Sequence, residues 1–335
     1  MSIATTTYHN ALTKVLLKGV KKGDRTGTGT ISTFGEQLRF DLEKEFPLIE
    51  SKKVFFRGIL EELLWFIRGD TNNKSLVEKG INFWTPWAPE DGDLGPVYGR
   101  MWRSWPTSKG GTIDQLKEAQ RLLQEEPDSR RIIVNAWNPE FLPDPRIPPK
   151  ENPANGLQAL PPCHMMFQFQ ASPLSLPDML SYCAINGIPL NLEDLVDTFL
   201  DLSTVDPSSL GVPDEVINKR RLNLQIYIRS NDMFLGAPFN IASYALLTMM
   251  MAQCCDMLLG DLVYTIGDCH IYSNHLDQVK EQISRWENRD TSKSNPSPVR
   301  VLINPEIRDI DGFTAKDFEL QNYDPLPAIK GAPAV

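Results

Sequence analysis

Apolar residues recur along this chain with two different periods, which together indicate a domain that contains both helices and strands. Spacing of three to four residues predicts helices over Tyr8–Val20, Val54–Ile67, Asp114–Gln124, Tyr244–Cys255 and Asp277–Trp286. Short apolar runs bounded by turn residues predict strands over Ile31–Phe34, Gln37–Asp41, Ile132–Ala136, Met165–Phe169 and Leu222–Ile228. The two kinds of element do not alternate as regular βαβ units, and this arrangement is typical of an α+β fold.

Two segments interrupt this pattern. Leu142–Gln158 is rich in proline and polar residues, which predicts a loop. Ala171–Asn218 contains turn clusters around a short helical stretch at Glu193–Leu200. The second segment fits either a small subdomain or a long excursion from a larger one. At 335 residues the chain is long enough for one large domain or two ordinary ones.

Composition narrows the class of protein. The net charge of −9 argues against nucleic-acid binding as the main function, because such proteins carry a basic surface. The five cysteines are odd in number and lack a repeated CxxC spacing, which argues against a disulfide framework and a structural zinc site. With no apolar run long enough for a membrane span and no secretory signal at the start, we expect a cytoplasmic protein without a metal.

The candidate nucleophile lies in the middle of the chain. Cys163 follows the stiff pair Pro161-Pro162 and precedes the predicted strand Met165–Phe169. On these residues alone, a buried structural cysteine is the alternative, since free cysteine is often buried. A Cys163–His164 hydrolase pair is disfavoured, because adjacent strand residues point to opposite faces.

Several further motifs occur in a fixed order around Cys163. They are Asp24–Thr30, Glu62–Phe66, Gly92–Gly99, Ser129–Arg131, Arg229–Ser230, Leu235–Leu247, Gly267–Tyr272 and the tail from Tyr323 to Val335. With these blocks the chain resembles the thymidylate synthase family. The resemblance implies a single α/β domain over residues 1–335, built on a large mixed sheet, with insertions at about 142–158 and 172–218. It also implies a symmetric homodimer.

The resemblance assigns catalytic roles to six residues. It implies that Cys163 adds to C6 of deoxyuridylate, so that C5 becomes nucleophilic toward a one-carbon electrophile. Arg229 would lie beside the thiol and favour the thiolate. Glu62 would move protons through ordered water, and Tyr98 would help to remove the C5 proton. The full set matching the family's catalytic positions is Cys163, Glu62, Tyr98, Arg229, Asp232 and Asn240.

The resemblance also implies how the nucleotide is held. Convergent arginines bind phosphate through paired donors, and Arg130 with Arg131 would reach across the dimer into the neighbouring site. Asn240 would donate to O4 of uracil and accept from N3–H, a pattern that cytosine reverses. The residues that match substrate ligands are Arg25, Arg130, Arg131, Ser230, Asn240, His270 and Tyr272.

The implied co-substrate is 5,10-methylenetetrahydrofolate. Aromatic residues would stack on its pterin ring and exclude water. The residues that match its pocket are Lys52, Trp84, Trp87, Asp232, Gly236, Phe239, Ala334 and Val335. Glu62 rather than the preceding Glu61 aligns with the family's glutamate, and Glu61 is expected to be a solvated charge.

The chain departs from the family mainly near the folate positions. Ile228 replaces a usual glutamine, Glu50 a threonine, Phe55 a histidine, and Phe83 a smaller aliphatic residue. Asn231 stands in an Arg-Ser-Asn-Asp sequence that also occurs in phage deoxycytidylate hydroxymethylase. Together with the two insertions, these features suit a phage enzyme acting in the host cytoplasm. Trp84 and the Ala334-Val335 end match the family, which favours hydride transfer and makes thymidylate the expected product. The departures leave 5-hydroxymethyl-deoxyuridylate as the alternative. A third possibility, a catalytically inactive relative that binds RNA, conflicts with the intact catalytic set and the negative charge.

Overall fold

The computed structural model describes residues 2–24, 26–191, 205–290, 292 and 297–333. The helices within these ranges are α1 (Ile3–Lys18), α2 (Phe56–Ile67), α3 (Lys74–Val77), α4 (Tyr98–Arg103), α5 (Gln115–Glu125), α6 (Leu176–Ile185), α7 (Asp214–Ile217), α8 (Gly236–Cys254) and α9 (Leu276–Glu287). The strands are β1 (Val20–Lys22), β2 (Thr30–Asp41), β3 (Trp105–Pro106), β4 (Thr112–Ile113), β5 (Ile133–Asn135), β6 (His164–Pro173), β7 (Arg220–Asp232), β8 (Leu258–Tyr272), β9 (Arg300–Ile303) and β10 (Phe318–Gln321).

Six of the described strands form one sheet in the order β1-β2-β8-β7-β6-β5. Its neighbours pair antiparallel except for β7 and β8, which run parallel. The sheet is therefore mixed, which confirms the fold class expected from the sequence. Because β7 and β8 run in the same direction, Ser230 and Asp268 lie opposite each other near the carboxyl ends of both strands.

The sheet has one covered face and one open face. Along β7, Leu224, Ile226 and Ile228 are fully buried, whereas the alternate residues Gln225 and Tyr227 are exposed. Successive strand residues point to opposite faces, so this alternation assigns the apolar side chains to the core. Helices α1 and α8 pack on the buried face. The opposite face of this chain is left uncovered by the described residues.

Helix α8 lies at the centre of the core. Nearly all of its side chains from Ile241 to Met251 are buried, and it packs against α2 as well as β7 and β8. The sequence predicted a later start for this helix, at Ile241. The helix begins at Gly236 because the Asp232 carboxylate accepts hydrogen bonds from the backbone of Phe234 and Leu235, just before the first turn.

The segment between β6 and β7 forms a second, smaller core of its own. Its buried side chains come from α6, α7 and the turns that connect them, and they are Leu174, Leu176, Met179, Cys183, Leu210, Val212 and Val216. The predicted helical stretch at Glu193–Leu200 lies outside the described residues. The other irregular segment, Leu142–Gln158, is a loop with single 3₁₀ turns, as expected.

The remaining predicted elements are recovered with shifted ends. The two strands predicted over Ile31–Phe34 and Gln37–Asp41 are one strand, since the chain continues through Gly35 at a positive φ of 82°. No described helix combines the length and the apolar character that a membrane crossing requires.

Candidate active site

Cys163 lies directly before β6, on a loop held in place by Arg229 of β7. The Arg229 side chain donates to the backbone carbonyls of Pro162 at 2.8 Å and Pro161 at 3.0 Å. Its Nη2 also lies 3.8 Å from Sγ of Cys163, and its backbone N–H donates to the Cys163 carbonyl. The prolines restrict the loop and the guanidinium fixes its carbonyls, so the thiol is presented next to a permanent positive charge.

Tyr98 and His164 support this loop from below. The Cys163 backbone N–H donates to the Tyr98 hydroxyl at 2.8 Å. The Tyr98 ring stacks on the His164 imidazole with centroids 3.8 Å apart, and His164 Nδ1 lies 2.7 Å from the Tyr244 hydroxyl. Burial raises the pKa of Tyr98 well above its ordinary value and lowers that of His164 to about 3. His164 is therefore neutral, and its Nδ1 is engaged by Tyr244, which disfavours it as a hydrolytic base for Cys163.

Glu62 projects from α2 toward the aromatic residues near the thiol. The Trp84 indole N–H donates to its carboxylate at 2.8 Å. Burial raises the pKa of Glu62 to about 7, and the Trp84 hydrogen bond opposes this rise. A carboxyl group with such a pKa exchanges protons readily near neutral pH, which suits general acid–base work.

The preceding residue, Glu61, corrects one expectation. It is not a solvated charge, because it is only 7% exposed and pairs with Lys79 at 2.6 Å. On a helix, adjacent residues point about 100° apart, so both glutamates of α2 can be partly buried in different surroundings.

Asn240 lies in the second turn of α8 and is partly exposed. A hydrogen bond from Asn240 to the buried Tyr264 hydroxyl lowers the pKa of that tyrosine, against burial, which raises it well above its ordinary value. The same hydroxyl donates to Oδ1 of Asn231 at 2.6 Å. Asn240 is therefore partly exposed at the site, and its contact with Tyr264 lies in the core.

His270 and Tyr272 lie near the end of β8, on the same side of the strand. Their rings make an edge contact with centroids 5.0 Å apart. His270 Nδ1 lies 3.2 Å from the Asp268 carboxylate, and this hydrogen bond lowers the pKa of Asp268. Ser230, opposite Asp268 on β7, completes a group of polar side chains at this edge of the sheet.

The expected folate residues cluster around the turn that enters α8. Asp232 uses one carboxylate oxygen for the turn, and its other oxygen lies 4.0 Å from His275 Nδ1. Lys52 donates to the Phe234 carbonyl and lies 3.5 Å from the centre of the Phe234 ring. Burial lowers the pKa of Lys52 to about 7. Lys52 is only 5% exposed, so it supports the Asp232–Gly236 turn from beneath.

An aromatic surface adjoins this turn. Trp84 packs against Trp87 and Tyr98 with ring centroids 6.4 and 6.0 Å apart. Phe83 meets Phe239 edge-on at 5.3 Å. The surface thus connects the tyrosine below Cys163 with the first turn of α8, and it would exclude water from a flat ring bound there.

Two residues that differ from the usual family residues, Phe55 and Phe83, contact each other in this surface. The rings of Phe55 and Phe83 are in edge contact at 6.3 Å, and both lie against Gly58 of α2. A Cβ at Gly58 would lie 2.6 Å from Phe55 and 2.7 Å from Phe83. The rings of Phe55 and Phe83 therefore fit here because residue 58 is a glycine and has no side chain. Ile228, by contrast, is fully buried in β7 and does not line the site.

The tail of the chain returns to this region. The Leu326 backbone N–H donates to the Glu50 carbonyl, and the Ala332 carbonyl lies 2.8 Å from His275 Nε2. His275 therefore lies between the tail and Asp232. The sequence motifs had indicated no role for this residue. Its buried Nδ1 has no hydrogen-bond partner among the described residues.

Two expected site residues of the described chain lie on its surface. Arg130 and Arg131 are exposed, beside the start of β5. Arg25, Ala334 and Val335 lie outside the described residues. Among the described residues, no cluster of histidine, cysteine, aspartate and glutamate could hold a metal ion.

The arrangement provides a thiol beside a cation, a carboxyl group with a pKa near neutrality, an amide for reading a ring edge, and an aromatic surface. Such a set suits nucleophilic addition to a planar heterocycle followed by proton transfer. A family model described as thymidylate synthase matches residues 6–192 and 200–335. That family transfers a one-carbon unit from methylenetetrahydrofolate to C5 of deoxyuridylate. Because the match spans nearly the whole chain, this protein belongs to the thymidylate synthase family.

Proposed function

We propose that the protein is a thymidylate synthase, which converts deoxyuridylate and 5,10-methylenetetrahydrofolate into thymidylate and dihydrofolate. The observation that carries the proposal is the placement of Arg229 Nη2 at 3.8 Å from Cys163 Sγ, with the same side chain holding both proline carbonyls. A nearby positive charge stabilises a thiolate, which is the form that adds to C6 of the pyrimidine.

The nucleotide is held at the carboxyl ends of β7 and β8. Ser230 and Arg229, with Arg25, bind its phosphate, and His270 with Tyr272 binds the 3′-hydroxyl of the deoxyribose. Asn240 pairs with O4 and N3 of uracil. Tyr98 helps to remove the C5 proton once the adduct has formed, and Glu62 moves protons at the O4 side through water. The raised pKa of Glu62, about 7, supports this role.

The folate supplies the one-carbon unit and the hydride that completes the methyl group. Trp84, Trp87 and Phe239 form the surface on which its ring stacks, and Asp232 with Gly236 lies at the turn beside it. Lys52 supports that turn, and Ala334 and Val335 contribute to the folate pocket. The contacts among Trp84, Trp87 and Tyr98 support hydride transfer, because they place an aromatic surface beside the nucleophile loop, and such a surface disfavours water.

The active form is a homodimer in which Arg130 and Arg131 of each chain bind the phosphate in the neighbouring site. Two observations support this. Both arginines are exposed in the single chain, and the open face of the sheet carries exposed Tyr227 and Phe34. Exposed apolar residues on an uncovered face are typical of a subunit interface.

We further propose that the chain is a single catalytic domain over residues 1–335, with insertions at about 142–158 and 172–218. The small core between β6 and β7 supports the second insertion. The enzyme acts in the cytoplasm, or the host cytoplasm if a phage encodes it. The cysteines of the described residues form no disulfide bonds, which fits a reducing compartment.

The second candidate is a deoxyuridylate hydroxymethylase, in which water attacks the same adduct. The presence of Phe55 and Phe83 near Phe239 favours the hydroxymethylase, because these two rings replace the family's usual residues on the folate side of the site. Incubation with deoxyuridylate and methylenetetrahydrofolate, followed by mass spectrometry of both products, separates the two. Thymidylate with dihydrofolate supports the synthase, whereas 5-hydroxymethyl-deoxyuridylate with tetrahydrofolate overturns it. Full activity in a Cys163→Ser variant would exclude both reactions.

A further inference from the structure

Asn231, Tyr264 and Asn240 form a buried polar cluster beneath the first turns of α8. The Tyr264 hydroxyl donates to Oδ1 of Asn231 at 2.6 Å. The amide nitrogens of Asn231 and Asn240 both flank Gly236, since a Cβ at that glycine would lie 3.6 Å from the first and 4.0 Å from the second. Asn231 is 2% exposed and Tyr264 is fully buried, so neither side chain can exchange its partners for water.

The cluster has a defined direction of proton donation. A phenol has one proton to donate and lone pairs with which to accept. Burial raises the pKa of Tyr264 well above its ordinary value, so the hydroxyl keeps its proton at neutral pH. That proton is given to Asn231. The Tyr264 oxygen is therefore left as an acceptor. The hydrogen bond from Asn240 lowers the pKa of Tyr264, so Asn240 is the donor, and only its amide nitrogen can donate.

We propose that Asn231 is a positioning residue for pyrimidine specificity, which fixes the Asn240 amide in the orientation that reads uracil. The inference rests on the proposed function, in which Asn240 pairs with O4 and N3 of the substrate. With its nitrogen turned toward Tyr264, Asn240 presents N–H to O4 and its oxygen to N3–H.

A flipped Asn240 amide would suit cytosine, which presents a donor at position 4 and an acceptor at position 3. The flip would turn Oδ1 of Asn240 toward the lone pairs of Tyr264. To avoid this contact between two acceptors, Tyr264 would have to donate to Asn240 instead. Oδ1 of Asn231 would then be buried without a donor. Leaving a buried acceptor unpaired is costly. With no acceptor at position 231, Tyr264 could donate to Asn240 or accept from it, and both orientations of the Asn240 amide would be satisfied. Asn231 therefore selects one orientation.

The test measures dissociation constants for deoxyuridylate and deoxycytidylate by isothermal titration calorimetry. We expect the unaltered protein to prefer deoxyuridylate. Asn231→Ala and Tyr264→Phe are each expected to reduce the ratio of the two constants by about 10-fold to 100-fold. Because both changes remove the same constraint, the double variant is expected to lose no more than either single variant.

Tyr8→Phe is the matched control. It also removes a buried tyrosine hydroxyl, one that donates to the Met233 carbonyl at 2.6 Å, without touching Asn240. We expect it to leave the ratio unchanged even if it lowers the melting temperature. Tyr264→Phe removes a single oxygen, so it tests the inference even if Asn231→Ala does not fold.

The outcomes separate the inference from the proposed function. If the unaltered protein binds deoxycytidylate as well as deoxyuridylate, the proposed substrate is wrong and the inference fails with it. If the unaltered protein discriminates and Tyr264→Phe or a folded Asn231→Ala keeps the full ratio, the inference alone is overturned. Additive losses in the double variant would also overturn it, since the two residues would then act independently.

Discussion

Nη2 of Arg229 lies 3.8 Å from Sγ of Cys163 and also donates to the Pro161 carbonyl, while Nε of the same side chain donates to the Pro162 carbonyl. One side chain therefore both shapes the loop and places positive charge at the nucleophile. A planar fork with several donors can do both at once, whereas a lysine ammonium offers a single point of charge.

Removing this charge should make the thiolate of Cys163 harder to form. We expect Arg229→Gln to shift the iodoacetamide alkylation of Cys163 to higher pH and to lower kcat/KM by at least about 100-fold. Alkylation of the Cys163 peptide is followed by mass spectrometry across pH. Arg220→Gln is the control, because Arg220 begins the same strand but pairs with Asp128 at 2.6 Å. An unchanged alkylation profile in Arg229→Gln would contradict the assignment.

Glu62 should make the protein less stable above neutral pH. Its pKa is about 7 in the folded chain, against 4.5 for the ordinary group, so the stabilisation by its proton is complete below pH 4.5 and is lost as pH rises to about 7. We expect Glu62→Gln to raise the free energy of unfolding at pH 8 by up to about 3 kcal/mol and to leave it nearly unchanged at pH 4. Denaturant unfolding at both pH values measures this difference.

Its neighbour provides a matched control. Glu61→Gln breaks the ion pair with Lys79 without touching the Trp84 hydrogen bond. This change is expected to destabilise the protein at pH 8. A gain of stability in Glu61→Gln equal to that in Glu62→Gln would show that the effect is a general one of charge removal.

The shared site can be tested by mixing two inactive variants. If Arg130 and Arg131 act in the neighbouring site, a heterodimer of Cys163→Ser with the double variant Arg130→Ala/Arg131→Ala contains one intact site. After unfolding together and refolding, random pairing is expected to restore about a quarter of the sites. Each variant refolded alone is the control, and absence of recovery in a mixture that still dimerises would place both arginines outside the neighbouring site.

Gly58 should be intolerant of even a methyl group. We expect Gly58→Ala to lower the free energy of unfolding by about 1–3 kcal/mol, because its Cβ would overlap the rings of Phe55 and Phe83. Adding Phe83→Leu should recover part of this loss, which a double-mutant cycle measures by denaturant unfolding. If the two changes simply add, the glycine and the ring are not coupled.

Much of the fold could be predicted from apolar periodicity, because α2, α5, α9 and the central strands follow it closely. The start of α8 could not, since Gly236, Ala237 and Pro238 are typical of a turn, and only the upstream Asp232 carboxylate indicates a helix entrance. Parallel pairing of β7 with β8 was likewise not readable from local sequence. It brings Tyr264 to Asn231, although 33 residues separate them.

The candidate site was predicted by motif resemblance rather than by chemistry alone. In the structure Arg229 lies beside Cys163, and Trp84 donates a hydrogen bond to Glu62, a contact that the motifs did not indicate. The burial of Glu61 was missed because its partner, Lys79, is 18 residues away, in the turn that follows α3. No spacing rule indicates such a pair.

The small core between β6 and β7 lies at the far end of β6 from the chemistry. Cys163 precedes His164 at one end of this strand, and the segment leaves after Pro173 at the other, about 30 Å away. The turn at Gly187 lies in open space, with a positive φ of 66°. The enzyme therefore has a natural attachment point, where a reporter or affinity module can be inserted without disturbing the nucleophile.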